Sequence, residues 1–203
     1  MKHNTEKVGQ VPGLMSPILE KWRLKKIMKW VHGDTILDCG CGAGKILDYL
    51  PSTTTSYTGI DSNEQVIKDA KTRKTNYPKD FVVANIGKIN FGINYKYDTI
   101  IMSAFIEHTD NPLDILKQFK KYLKKNGVII ITTPTSKAKH FLDFGSKLMI
   151  FSRDAYQEHR SHFSEDALFN LIKLADLKVI HYEKFEFGLN QLIVVGECRS
   201  NNE

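Results

Sequence analysis

Apolar residues in this chain alternate between two periods. Continuous runs rich in β-branched residues are separated by stretches in which apolar positions fall three or four apart, the patterns of buried strands and of helices with one covered face. The first stretch, Leu14, Ile18, Trp22, Ile27 and Val31, predicts a helix from Leu14 to Val31 that Gly33-Asp34 stops. A strand follows over Thr35 to Cys39, then a short helix from Lys45 to Leu50 halted by Pro51, a strand over Ser56 to Ile60 and a helix over Glu64 to Arg73. Strands are predicted over Phe81 to Ala84, Tyr97 to Ser103 and Val128 to Thr133. Between the last two, Leu113, Leu116, Phe119 and Leu123 mark a helix with Pro112 in its first turn and Asn126-Gly127 beyond its end. Ser164 caps a final helix striped by Leu168, Leu171, Ile172 and Ala175. Two strands, Lys178 to Phe187 and Gln191 to Glu197, then flank Gly188-Leu189-Asn190. Strand and helix alternation ending in a hairpin implies an α/β fold whose sheet is parallel except for an antiparallel last strand.

The chemistry concentrates where the first strand ends, in Asp38-Cys39-Gly40-Cys41-Gly42-Ala43-Gly44. Glycines at every second position let another molecule lie against bare backbone. A phosphate-cradling loop needs glycine five residues before Gly44 and a hydroxyl after Lys45, where this chain has Cys39 and Ile46. The dinucleotide pattern needs a third glycine for close helix packing, and Lys45 occupies that place, which disfavours it. Asp61 ends the second strand at the distance where an α/β nucleotide site sets a carboxylate on ribose hydroxyls.

At 203 residues, 41% hydrophobic and 26% charged, the chain suits one domain. We divide it into a helical preface (1–32), a ligand-binding core (33–133), an insertion (134–163) and a final helix with hairpin (164–203). No run is long enough for a membrane span and the first residues lack a signal peptide's apolar stretch, so a cytoplasmic protein is expected. Cys39, Cys41 and Cys198 match neither a metal spacing nor a disulfide framework. The net charge of +6 permits an acidic partner such as RNA. Two lysine-rich runs, Lys21 to Lys29 and Lys117 to Lys125, sit among apolar residues at helical spacing and read as solvated helix faces.

The acid followed by GxGxG resembles the first motif of class I S-adenosylmethionine-dependent methyltransferases. Further along, Tyr97 to Ser103 with Ile106-Glu107-His108 and Asn111-Pro112 resembles the fourth motif of small-molecule members of the ubiquinone-biosynthesis type, and Thr133-Pro134-Thr135 is similar to their exit from strand five. The resemblance covers residues 33 to 197. It implies a Rossmann-like three-layer sandwich around a mostly parallel seven-stranded sheet. It also implies S-adenosylmethionine as methyl donor, with Asp38, Gly40, Cys41, Gly42 and Gly44 at the loop, Asp61 and Ser62 at the ribose, Asn85 and Ile86 at the adenine and Ser103 facing the methionine part. The family often has an acid where Asn85 stands; Asn85 keeps an acceptor oxygen and loses the charge.

Methyl transfer from a sulfonium needs positioning, and a base only where the acceptor must lose a proton. His159, His162 and His108 are the candidate bases, since histidine titrates near neutrality. His159 and His162 end the insertion, where Phe141, Phe144, Leu148 and Phe151 suggest a lid helix over the acceptor, with Tyr156 adding to its apolar wall. The resulting expectation is methyl transfer to a hydroxyl, secondarily an amine, of a small molecule or glycan intermediate, with no metal. An RNA or protein methyltransferase and a non-catalytic S-adenosylmethionine-binding protein are the alternatives.

Overall fold

The computed structural model describes residues 16–89, 92, 95–138 and 163–198. The expected lid residues 139–162, with Phe141, Phe144, Leu148, Phe151, Tyr156, His159 and His162, lie outside the described residues, as do residues 1–15. In chain order the main elements are α1 (Ser16–Met28), β1 (Thr35–Cys39), β2 (Ser56–Asp61), α2 (Glu64–Lys71), β3 (Lys79–Val83), β4 (Tyr97–Ser103), α3 (Pro112–Lys120), β5 (Leu123–Pro134), α4 (Glu165–Leu174), β6 (Leu177–Phe185) and β7 (Asn190–Glu197).

The strands form one seven-stranded sheet in the order β3-β2-β1-β4-β5-β7-β6. β1 pairs in parallel with β2 and β4, β2 with β3, and β4 with β5, whereas β7 runs antiparallel to both β5 and β6. The last strand is therefore the antiparallel one, as the alternation of elements predicts, and it is inserted between β5 and β6. The order in which strands join the sheet reverses between β1 and β4, the place where open α/β sheets leave a crevice at the carboxyl ends of their strands.

Alternate residues of the strands feed two cores. Leu37, Ile100, Met102, Ile129, Ile131 and Ile193 meet Leu116, Phe119, Leu168 and Ile172 of α3 and α4 on one face. Ile36, Tyr57, Ile101, Ile130 and Val194 meet Leu24 and Ile27 of α1 on the other. Burial on both faces explains why the central strands are continuous apolar runs.

Several boundaries depart from the sequence expectation. The helix predicted over Lys45 to Leu50 is a single 3-10 turn, Lys45–Asp48, entered from left-handed Gly44. α3 ends at Lys120 because the Tyr122 carbonyl accepts from Tyr97 N–H (2.8 Å) and Leu123 pairs with Tyr97 across the sheet. Leu123 thus begins β5, and Asn126, with φ of 66°, sits at the bulge that follows. β6 stops at Phe185 because Glu186 and Phe187 turn into left-handed conformations, with φ of 50° and 57°.

The opposite edge of the sheet, at the amino ends of β1 and β4, is closed by Asp98. Its Oδ2 accepts from Asp34 N–H (3.0 Å), Thr35 N–H (3.1 Å), the Thr35 hydroxyl (2.8 Å) and Lys124 Nζ (2.9 Å). Lys120 pairs with Asp176 at 2.5 Å beside the start of β6, so the second lysine-rich run anchors to this same edge.

Candidate functional site

The glycine loop leaves β1 with Gly40, Gly42 and Gly44 all at positive φ (77°, 50° and 67°), a conformation ordinary side chains resist. Gly40 and Cys41 N–H both donate to the Ile60 carbonyl (2.8 and 2.9 Å), tying the loop to β2. The Gly42 N–H donates to Asp61 Oδ2 at 2.9 Å, and Asp61 Oδ1 accepts from Asn63 N–H at 2.9 Å. A second clamp comes from α2: Arg73 Nε donates to the Ala43 carbonyl (2.7 Å), while its Nη1 reaches both carboxylate oxygens of Asp48 (2.8 Å each). A Cβ on Gly44 would touch Ala70 and Arg73, so this glycine serves the packing of the loop on α2.

Beside the loop lies a cavity of about 500 Å³ at the carboxyl ends of β1 to β4. Gly40, Asp61, Ser62, Asn85, Ile86 and His108 all line it. Sequence reasoning assigned each of these six residues to the site, and the fold brings them to one cavity. Asp38, Cys41, Gly42, Gly44 and Ser103 are adjacent in the chain or sheet but do not line it. Asn85 is exposed, and its Oδ1 accepts from Gly87 N–H (3.0 Å), capping the 3-10 turn Ile86–Lys88.

Asp38 faces the α1 side of the sheet. It is 3% exposed and accepts from the buried Tyr57 hydroxyl at 2.8 Å. Burial raises its pKa to about 7, which the Tyr57 hydrogen bond opposes and the Asp61 charge reinforces. Burial likewise pushes the Cys41 thiol far above its usual value, with Asp38 adding to the effect, so this cysteine is no nucleophile at neutral pH.

Ser103 ends β4, and its hydroxyl accepts from Thr132 Oγ1 at 3.3 Å. Ala104 then takes φ of 48° and swings Phe105 over the loop, where a Cβ on Gly40 would come within 2.9 Å of its ring. Sequence reasoning missed Phe105 as a cavity wall, together with Asp110, Asp114 and Gln118. Asp114 and Gln118 stand four apart on α3, the spacing that places them on one helix face, and Asp110 precedes that helix.

Glu107 follows in the 3-10 turn Ile106–His108 and is fully buried, although neither carboxylate oxygen has a hydrogen-bond partner among the described residues. Burial raises its pKa; His108, Thr133 and Arg23 favour its charged form.

Residues 13–182 match the family described as a methyltransferase domain. Among curated relatives, the ubiquinone biosynthesis O-methyltransferase of Pelagibacter ubique is 27% identical over 127 residues, covering 62% of this chain and 52% of that protein. The protein of the same name from Rickettsia canadensis is 31% identical over 139 residues, covering 63% and 56%. The chain therefore spans about half the length of these relatives. Among solved structures, the plantazolicin methyltransferase BpumL, in complex with a triazolic desmethylPZN analog and SAH, superposes with a TM-score of 0.71 at 18% identity, covering 90% of this chain and 86% of the other. That likeness concerns the fold.

Proposed function

Because this chain belongs to the methyltransferase-domain family, we propose that it is an S-adenosylmethionine-dependent methyltransferase acting on a hydroxyl group of a small molecule. The observation that carries this reading is the convergence of the Asp61-clamped glycine loop with Asn85, Ile86 and His108 around one cavity at the carboxyl ends of β1 to β4. The residues present fit the methyl donor. Asp61 carries a charged acceptor for ribose hydroxyls at the cavity wall; Ile86 gives an apolar face for adenine, with Asn85 and the Gly87 backbone beside it. Gly42, beside which the structure leaves open space, keeps the loop backbone bare for the methionine part, while Gly40 lets Phe105 pack against the loop at the cavity wall.

The bound donor would supply an electrophilic methyl: an acceptor oxygen forms the new C–O bond, the C–S electron pair leaves to sulfur, and the hydroxyl proton passes to a base. Of the three histidines, His108 lines the cavity; His159 and His162, outside the described residues, are the other candidate bases. The names of the curated relatives support oxygen over nitrogen as acceptor atom. Support for a small acceptor over a nucleic acid comes from the second lysine-rich run, whose Lys120 and Lys124 are paired at the sheet edge opposite the cavity.

Isothermal titration with S-adenosylmethionine and S-adenosylhomocysteine tests the reading. Saturable binding of both is expected, and no heat with either at millimolar concentration would refute it.

A further inference from the structure

Two side-chain amides on different elements line the cavity, and each has the opposite end committed to the backbone. Asn85 follows β3 and caps the 3-10 turn Ile86–Lys88, its Oδ1 accepting from Gly87 N–H at 3.0 Å. That contact fixes which end of the amide is oxygen, and it leaves the Nδ2 donors without a partner among the described residues. Gln118, on α3, is held the other way round. Its Nε2 donates to the Ile89 carbonyl, just past the same turn, so Oε1 is the acceptor left over among the described residues. The bond also ties α3 to the turn after β3, which holds the two amides in a fixed relation.

The walls around these amides are apolar. Ile86 and Ile115 both line the cavity and are buried in one cluster, and Gln118 is half-buried one turn beyond Ile115. A free donor and a free acceptor beside an apolar slot select among flat rings. A 6-aminopurine presents the complement, since its amino group donates and its ring nitrogens accept. A 6-oxopurine carries an acceptor where the amino group stands, and its oxygen would face the Gln118 oxygen.

We propose that Gln118 Oε1 accepts from the 6-amino group of the methyl donor's adenine and that Asn85 Nδ2 donates to a ring nitrogen. The position after β3, where the family often has an acid to hold the amino group, thereby takes the reverse role, and selection for adenine passes to α3. Asp114, one turn before Gln118, also lines the cavity, but it is exposed and its carboxylate accepts from the Asn111 side chain at the start of the helix. It belongs to the helix cap. This assignment rests on the methyltransferase reading above.

The test is calorimetric titration of the full chain at pH 7.5 with S-adenosylhomocysteine and with S-inosylhomocysteine, which differs in carrying oxygen for the 6-amino group. The parent chain should prefer the adenine compound about 30-fold or more, because a site built to bond an amino group is left unpaired by its replacement. Gln118→Leu should cut that preference about tenfold, chiefly by weakening S-adenosylhomocysteine, whereas Asp114→Asn should leave it within about twofold. Asn85→Asp separates the two amide roles, since aspartate keeps the cap on Gly87 N–H and has no proton to donate. It should weaken S-adenosylhomocysteine about tenfold. Tighter binding of S-adenosylhomocysteine by Asn85→Asp would show that this position holds the amino group, and it overturns the assignment. An unchanged preference in Gln118→Leu, or equal affinity of the parent chain for the two compounds, overturns it as well. Binding of neither compound by the parent chain overturns the methyltransferase reading itself, and this assignment with it.

Discussion

The Gly42 N–H donates to Asp61 Oδ2 at 2.9 Å, so the carboxylate assigned to the ribose also fixes the shape of the loop. Removing it should do two things at once: release the loop and delete a charged acceptor from the cavity. Charge-assisted hydrogen bonds contribute about 1.5–3 kcal/mol each. Asp61→Ala is therefore expected to weaken S-adenosylmethionine binding about 100-fold, and Asp61→Asn, which keeps one acceptor oxygen, about tenfold. Calorimetry on the two variants checks this. Unchanged affinity in Asp61→Ala would remove Asp61 from the site.

Gly40 and Phe105 form a second linked pair. A methyl on Gly40 meets the Phe105 ring at 2.9 Å, and the backbone there has φ of 77°. Gly40→Ala should cost about 1–2 kcal/mol from the left-handed backbone alone, with the steric conflict added. Phe105→Ala in the same chain removes the conflict and leaves the backbone cost. Denaturant unfolding of both single variants and the double variant should show the double less destabilised than the sum of the singles. Strict additivity would mean that the ring does not rest on Gly40.

The sequence discloses those parts of this fold whose signals are local. β4 lies over the predicted Tyr97 to Ser103 because a continuous apolar run admits no other period. Leu123 misled the reading of α3, since it continues the helical spacing of Leu116 and Phe119 and equally suits a strand; pairing with Tyr97 decides the matter. The site divides in the same way. Gly40, Asp61 and Asn85 each end a strand, so recognising the strands places them on one edge of the sheet. Phe105 depends on the left-handed Ala104, for which an alanine gives no warning. The partnership of Asp38 with Tyr57 depends on strand register, and no local pattern encodes it.

Asp98 should govern stability in acid. Hydrogen bonds from Lys124, Asp34 and Thr35 outweigh its burial and hold its carboxyl well below the usual carboxylate range. A depressed native pKa adds stability that is complete above the unfolded value near 4 and is lost as pH falls through the native one. Asp98→Asn is expected to cost about 2–3 kcal/mol at pH 7, discounted because Lys124 is partly exposed. The gap between parent and variant should narrow steadily below pH 4. A gap of constant size down to pH 2 would contradict the role given to its charge.

Asp38 should act in the opposite sense and in a different window. Its native pKa is raised to about 7, chiefly by burial, whereas in the unfolded chain it returns to about 3.9. Between those values the native state keeps a proton that the unfolded state releases, so stability falls as pH rises from about 4 to 7 and then levels off. At 1.36 kcal/mol per pH unit the loss is at most about 4 kcal/mol, an upper figure because buried sites relax. Asp38→Asn cannot ionise, yet it keeps an oxygen for the Tyr57 hydroxyl that now bonds at 2.8 Å. The variant should therefore melt at higher temperature than the parent at pH 8, and the advantage should close toward pH 4. Thermal unfolding across this range reads both. If Asp38→Asn is less stable than the parent at pH 8, the carboxylate is held there as a useful charge, and the buried Asp38–Tyr57 pair must have a compensating cation within reach.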